Sequence, residues 1–322
     1  MTALSSSGSS AGPKGSAPSF VQRLKSGDSI AHAITLAAAV LVLLITAALA
    51  YQLFINSSAS RAKFGMGFLT GDNWDPVNDD FGALPFMYGT LVTSALALLI
   101  GVPLGVGAAI FLAELAPPAI SDALTFLIEL LAAVPSVIYG LLGVFVLIPI
   151  LRDIEPGIRG VLGWTPLFQG PFYGVSLFSA GVILSVMIVP FIISISREVI
   201  RAVPGDQREA ALALGATRWE TTWHVVLPYA KQGILGSIFL ALARALGETM
   251  AVTMMIGNDP KVSASLFAPG YSIAAVIANE FTEATGELYT HALIELGLVL
   301  FALTIVINAA ARLLVSGGRK SA

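Results

Sequence analysis

Six stretches of the chain are apolar for long enough to cross a bilayer: residues 30–55, 87–113, 123–151, 174–196, 233–256 and 290–314. A hydrocarbon core of about 30 Å needs roughly 20 helical residues. The runs are continuously apolar rather than alternating over about ten residues, so they predict helices and not barrel strands. The expected fold class is all-α: a membrane protein with six transmembrane helices. The intervening segments 56–86, 152–173 and 257–289 read as long loops on one side, and the last holds Tyr271–Phe281, apolar enough for a short helix or a re-entrant segment. Gly101 and Gly105 form a G-x-x-x-G pair, and Ala243, Gly247 and Ala251 place small residues four apart, a pattern that lets helix backbones approach closely. Pro103, Pro135 and Pro190 lie inside spans and favour kinks.

Composition agrees with the pattern. Of 322 residues, 56% are hydrophobic and 11% charged, against about 25% charged in soluble domains. There is no cysteine, which excludes disulfides and cysteine chemistry, and His32, His224 and His291 have no metal-ligand spacing. The net charge of −3 argues neither for nor against nucleic acid, and no nucleic-acid partner is expected. Residues 1–29 are rich in Ser, Gly, Ala and Pro, with Lys14, Arg23 and Lys25, and read as a disordered basic tail. The run 30–55 is longer than the roughly 7–15 residues of a signal peptide's apolar region, so it is expected to remain as the first span.

Lysine and arginine set the orientation. With the N-terminus in the cytoplasm, the inner segments hold Lys14, Arg23, Lys25, Arg197, Arg201, Arg208, Arg218, Lys231, Arg312, Arg319 and Lys320. The outer segments hold only Arg61, Lys63, Arg152, Arg159 and Lys261. Both termini are therefore expected inside, residues 315–322 forming a second cytoplasmic tail.

The longest inner segment between spans, Arg197–Gln232, is structured rather than a linker. Asp206 to Glu209 has the spacing of a capping box, and Ala and Leu favour a helix through Leu214. Gly215 can stop that helix with a positive φ. Thr217 to Glu220 is a second capping box, opening a helix that Pro228 interrupts or ends. The result is helix, glycine turn, helix, a shape suited to insertion into a groove on another protein. No G-x-x-x-x-G-K-[ST] occurs in the chain. Any ATP hydrolysis would therefore have to be supplied in trans, no cofactor is expected here, and the chain reads as non-catalytic.

Arg244 and Glu248 lie four residues apart, on one face of an expected fifth span. Counting about 1.5 Å per residue from Gly233 puts Arg244 about 16 Å along the axis, near the bilayer midplane. A charge there needs a partner or a cavity. Either the two neutralise each other, or they line an anion path in which the planar guanidinium fork grips an oxyanion. Ser136, Tyr139 and Thr249 are weaker pathway candidates, chosen for polarity near those charges.

The loop residues closely resemble the EAA signature of ABC importer permeases: Glu209-Ala210-Ala211, Gly215, Val225 and Leu227-Pro228, with Val in place of Ile. The resemblance implies a type I ABC importer (MetI-like) permease fold. Its permease core would occupy 87–314, five helices with a coupling loop at 200–230. Glu209, Ala210, Ala211, Gly215, Leu227 and Pro228 would couple it to an ATPase. Phe81–Ser94, Leu131–Gly140 and Arg244–Asn258 further resemble permeases of phosphate ABC importers of the PstC type, over about residues 80–315. That implies a PstA-type sister permease, an ABC ATPase dimer, an external phosphate-binding protein, phosphate as cargo, membrane lipid as surroundings and a bacterial plasma (inner) membrane location. Alternatives are another oxyanion, such as sulfate or molybdate, or an ATP-independent secondary transporter. An intramembrane enzyme is disfavoured by the lack of any nucleophile–base constellation.

Overall fold

The computed structural model describes residues 28–317. Most of the tail expected at 1–29, and residues 318–322 of the second tail, lie outside the described residues. The chain forms two units, Met1–Gln52 and Leu53–Ala322. The first is described from Asp28 as a helix, α1 (Asp28–Asn56), whose apolar side chains are exposed on all sides. A helix apolar all round has lipid as its natural solvent.

The second unit opens with α2 (Ser58–Phe64), α3 (Gly67–Thr70) and an antiparallel hairpin, β1 (Trp74–Asp75) and β2 (Asp80–Phe81), in which Trp74 faces Phe81. The loop expected at 56–86 is thus largely ordered. Then follow α4 (Leu84–Ile110), α5 (Pro118–Ala132), α6 (Ser136–Leu142), α7 (Ile148–Leu162), α8 (Leu177–Arg201), α9 (Gly205–Ala213) and α10 (Arg218–Thr221). The last elements are α11 (Leu227–Leu246), α12 (Met250–Ile256), α13 (Ile273–Glu280) and α14 (Glu287–Gly317). α13 fulfils the expectation of a short helix within Tyr271–Phe281.

Among the described residues, six continuous helices are long and apolar enough to span: Ile30–Asn56, Leu84–Leu115, Ser136–Leu162, Leu177–Arg201, Arg218–Leu246 and Glu287–Leu313. Two differ from expectation. Residues 123–151 are not one helix. α5 stops at Ala132, and Pro135, at φ −58 and ψ 141, separates it from α6. Proline cannot donate the next helical bond and steers Val134 out of the helical region. The span therefore extends to Leu162 and takes in charges expected in a loop. There Arg159 pairs with Glu155 at 2.5 Å and reaches Gly170 O, while Arg152 donates to Tyr173 O. The fifth span begins at Arg218 rather than 233 and ends at Leu246 rather than 256.

Two of three wide π-turns carry a helix past a proline, while the first closes its helix just ahead of the extended Ala116 and Pro117. Phe111–Leu115, Gly143–Leu147 and Thr222–Val226 each close with an N–H bonded five residues back: Ala116 to Phe111, Ile148 to Gly143 and Leu227 to Thr222. In each case the donor immediately precedes a proline, Pro117, Pro149 or Pro228. The wider turn makes room for the ring and tolerates its missing donor. Pro228, expected to interrupt or end its helix, sits inside an unbroken one.

α8 is the central post. A Cβ on Gly101 or Gly105 of α4 would come within 3.1 or 2.8 Å of Ile188 or Ile192, so the G-x-x-x-G pair does seat one span against another. Ile183, Leu184, Ile188 and Ile192 of α8, with Met255 and Ile256 of α12, form the main core. At the end carrying the hairpin, Trp74, Phe81, Phe86, Tyr271 and Tyr289 pack edge-on or stacked into a second core. Trp74 Nε1 and Tyr289 Oη donate to Glu280 Oε2 at 2.8 and 2.6 Å, fastening α13 beneath them.

Candidate functional site

Two groups of residues carry the chemistry. The first is the loop between α8 and α11. Pro204, at φ −56 and ψ 136, sets α9, which starts at Gly205 with no side-chain cap. The capping box expected from Asp206 is therefore absent: the proline opens the helix earlier, and Asp206 falls inside the first turn. There its negative charge still favours the helix N-terminus. α9 ends in a Schellman motif. Gly215 N–H reaches Leu212 O at 2.9 Å, Ala216 N–H reaches Ala211 O at 3.2 Å, and Gly215 sits at φ +89. Next comes a complete capping box: Thr217 Oγ1 accepts from Glu220 N–H at 3.2 Å, and Glu220 Oε2 accepts from Thr217 N–H at 2.8 Å.

No residue of α9 is buried. Glu209, Ala210 and Gly215 are exposed and Ala211 partly so. Leu214 is 90% exposed, and Trp219 and Trp223 stack on each other while both remain exposed. Leu227 and Pro228 are the first two residues of α11, Leu227 partly buried and Pro228 exposed. Such a helix does not gain its order from burial in this chain. It is held instead by Arg208, whose guanidinium pairs with Glu114 at 2.7 Å and donates to Ile200 O at 2.8 Å and to Val203 O. Glu114 lies in the first π-turn, at the end of α4. Nearby, Asp122 of α5 pairs with Arg197 at 3.6 Å, and Ser121 Oγ accepts from Arg201 at 3.1 Å. Sequence reading missed this clamp, because its partners lie on separate helices and no local spacing joins them.

The second group surrounds the end of α11. Arg244 is exposed in the last turn of the helix, where a cation suits the helix dipole. Gly247 then caps the helix, and Glu248 and Thr249 are non-helical before α12 begins. Arg244 and Glu248 are thus not on one helix face, nor do they pair: among the described residues Arg244 has no ion-pair partner within 4 Å. Glu248 Oε1 instead accepts from Ala251 N–H at 3.3 Å, at the start of α12. The stripe expected from Ala243, Gly247 and Ala251 is likewise split by the break. Thr249 is partly buried; its carbonyl takes Thr253 Oγ1 at 2.7 Å.

Ser136, partly buried, opens α6 directly after the other break. Tyr139 is buried, lies within electrostatic reach of Arg244, and spends its hydroxyl on Leu131 O at 2.7 Å, strapping α5 to α6. The two restarted helices pack closely, glycines of one against methionine side chains of the other. A Cβ on Gly140 would lie 2.5 Å from Met254 Sδ, and one on Gly143 would lie 2.6 Å from Met255 Sδ. The contacts advance in the same direction along both segments, so they run parallel with their N-terminal ends at one level. Two interrupted helices starting side by side, with an unpaired arginine just ahead of one of them, is an arrangement suited to an anion in a membrane.

A polytopic bundle with interrupted helices and an exposed helix–turn–helix between two spans defines a membrane transport subunit. The chain matches the family model "Binding-protein-dependent transport system inner membrane component" over residues 101–320, and it belongs to that family. It is 50% identical over 297 residues to a "Phosphate transport system permease protein PstC" of Mesorhizobium japonicum, covering 91% of each chain. It is 47% identical to the protein of that name from Pasteurella multocida, covering 86% of this chain and 88% of the relative. Among solved structures, a bacterial ABC transporter involved in import of the acidic polysaccharide alginate aligns with a TM-score of 0.55 at 18% identity. That alignment covers 91% of this chain and 99% of the other, a likeness of fold.

Proposed function

We propose that this chain is the membrane permease subunit of an ATP-driven importer of inorganic phosphate, with both termini on the cytoplasmic side. α9 and the turn at Gly215 dock on a separate ATPase dimer through Glu209, Ala210, Ala211 and the exposed Leu214. A sister permease of similar design completes the pathway, and an external phosphate-binding protein delivers cargo to the hairpin end. The observation that carries the cargo is Arg244, a guanidinium without an acidic partner beside two parallel helix starts; the names of the relatives point the same way. The sequence holds no G-x-x-x-x-G-K-[ST], and in this reading ATP and Mg²⁺ belong to the partner.

In this mechanism ATP-driven closure of the ATPase pair moves α9. The Arg208–Glu114 clamp passes that motion to α4, and the continuous helix Arg218–Leu246 passes it to Arg244. The anion is held briefly by the guanidinium and the free N–H groups of the helix starts. Glu248, held to Ala251 N–H, keeps the site from binding it tightly. The test is uptake of labelled phosphate into proteoliposomes carrying the complex purified in mild detergent. Uptake should need ATP and resist excess sulfate while yielding to arsenate, a phosphate isostere. Uptake without a co-purifying ATPase would overturn the coupling, and competition by sulfate would overturn the cargo.

A further inference from the structure

Trp219 and Trp223 stack with their ring centroids 5.8 Å apart, yet they are 55% and 54% exposed. Tryptophan on a membrane protein ordinarily marks the headgroup belt. The depth of this pair excludes that role. α8 and α11 lie at one level where Ser196 Oγ meets Ser237 Oγ at 2.7 Å and where a Cβ on Gly233 would strike Val199. Along α8, Val199 is about 33 Å from Leu177 at 1.5 Å per residue, and Arg197, Glu198 and Arg201 charge this end of the helix. A hydrocarbon core of about 30 Å therefore ends near Gly233. Trp223 and Trp219 lie about 15 and 21 Å beyond that level, on the continuous helix Arg218–Leu246. A headgroup layer adds only about 5–8 Å, and a tilt of about 20° shortens the distances by only about 6%. The two half-exposed rings thus stand in water, where a contiguous apolar patch marks a protein contact.

We propose that Trp219 and Trp223 are a second anchor for the ATPase subunit, separate from the contact made by α9, and that they fill an apolar pocket with an acidic rim on that subunit. This rests on the reading of α9 as the ATPase dock. The pair continues that surface directly: Leu214, 90% exposed, and Gly215 precede it, and the Thr217–Glu220 capping box fixes the turn that carries it. Stacking holds the two side chains in one arrangement before a partner arrives, so little rotamer freedom is left to lose on docking. A cleft of about 530 Å³ runs on from Trp223 past Leu227 and Pro228 to Lys231. The free charges beside the rings are positive. Arg218 and Lys231 are exposed and have no ion-pair partner among the described residues, while Glu220 is engaged by Thr217. An acidic rim complements them.

The experiment is hydroxyl-radical footprinting of the full-length chain, purified with its partner subunits and held in nanodiscs, before and after the ATPase is washed off. Trp219 and Trp223 should be oxidised at least about fivefold more slowly with the ATPase in place. Trp164, at the Leu177 end of the bundle, should be oxidised equally in both states. Release of the ATPase should be at least about tenfold faster when Trp219→Ala and Trp223→Ala are combined, and about threefold faster with Lys231→Glu at low salt. Trp164→Ala should leave release unchanged. The footprint uses the native chain, so it decides the matter even where the double variant does not assemble. Slow oxidation that persists after the ATPase is gone gives the rings to lipid or to the sister permease and overturns the proposal. So does unchanged release from the double variant. Equal oxidation in both states while Leu214 is protected also overturns it, and leaves the docking of α9 standing. If neither Leu214 nor the two rings respond, the docking of α9 falls together with the proposal.

Discussion

The helix that carries Arg244 treats its two ends in opposite ways. At its start it passes Pro228 without stopping, because the π-turn Thr222–Val226 absorbs the ring. At its finish it stops at Leu246 with no proline nearby, and two non-helical residues intervene before α12. The first end is continuous and the second broken, so the proposed mechanism keeps force and ligand at opposite ends of one rod. α9, clamped by Arg208 to Glu114, sits at the continuous end; the unpaired guanidinium sits at the broken one.

The strongest way to break this contrast is Arg244→Ala. Loss of charge-assisted hydrogen bonds worth about 1.5–3 kcal/mol should lower phosphate uptake at least about tenfold, with ATPase activity of the complex within about twofold of native. Arg244→Lys should recover only part, since a point charge lacks the planar fork. Gly215→Val should act at the other end. A β-branched residue at φ +89 opposes the Schellman turn at about 1–2 kcal/mol, so uptake and ATPase stimulation should fall together, by about tenfold. Gly215→Asn should be milder, as Asn tolerates that conformation. Third comes the clamp. Glu114→Gln and Arg208→Gln should each cut uptake about threefold, and the double variant should be no worse than the singles, the mark of a shared interaction. Smaller still, Thr217→Ala should speed amide exchange at Arg218–Glu220 about fivefold through loss of the cap, with uptake little changed.

Tyr271 offers a control that touches neither end of the rod. Burial pushes its phenol up to about 12, partly offset by the hydrogen bond from Asn279. A raised value means that the native state favours the protonated form. Its contribution is fully present below the ordinary value of 10 and is lost as pH rises from 10 to about 12. Tyrosinate absorbance of the intact complex should show this residue titrating late, and Asn279→Ala should move it later still.

The first end was legible because its geometry is local. Gly215, Thr217 and Glu220 act on neighbours within three residues, and spacing alone predicts their bonds. Six spans were legible for the same reason, since apolar length is a local property. What escaped was made elsewhere in the chain. The break at Gly247 follows no proline and shows only once Gly140 and Gly143 pack against α12. The pairing of Arg208 with Glu114 joins residues 94 positions apart. The π-turns had a signal that went unused: a proline inside an otherwise unbroken apolar period, which a helix can accommodate as well as obey.

Those π-turns give the bundle a kind of slack. Each stores one residue more than the pitch of its helix requires, and two of the three, Phe111–Leu115 and Thr222–Val226, adjoin the clamped loop. A surplus residue can move along a helix by exchanging one hydrogen bond for another, turning the residues it passes by about a hundred degrees without breaking the rod. In the proposed mechanism Thr222–Val226 is thus a rotary joint within the continuous helix Arg218–Leu246, and Pro228 marks where that joint is set.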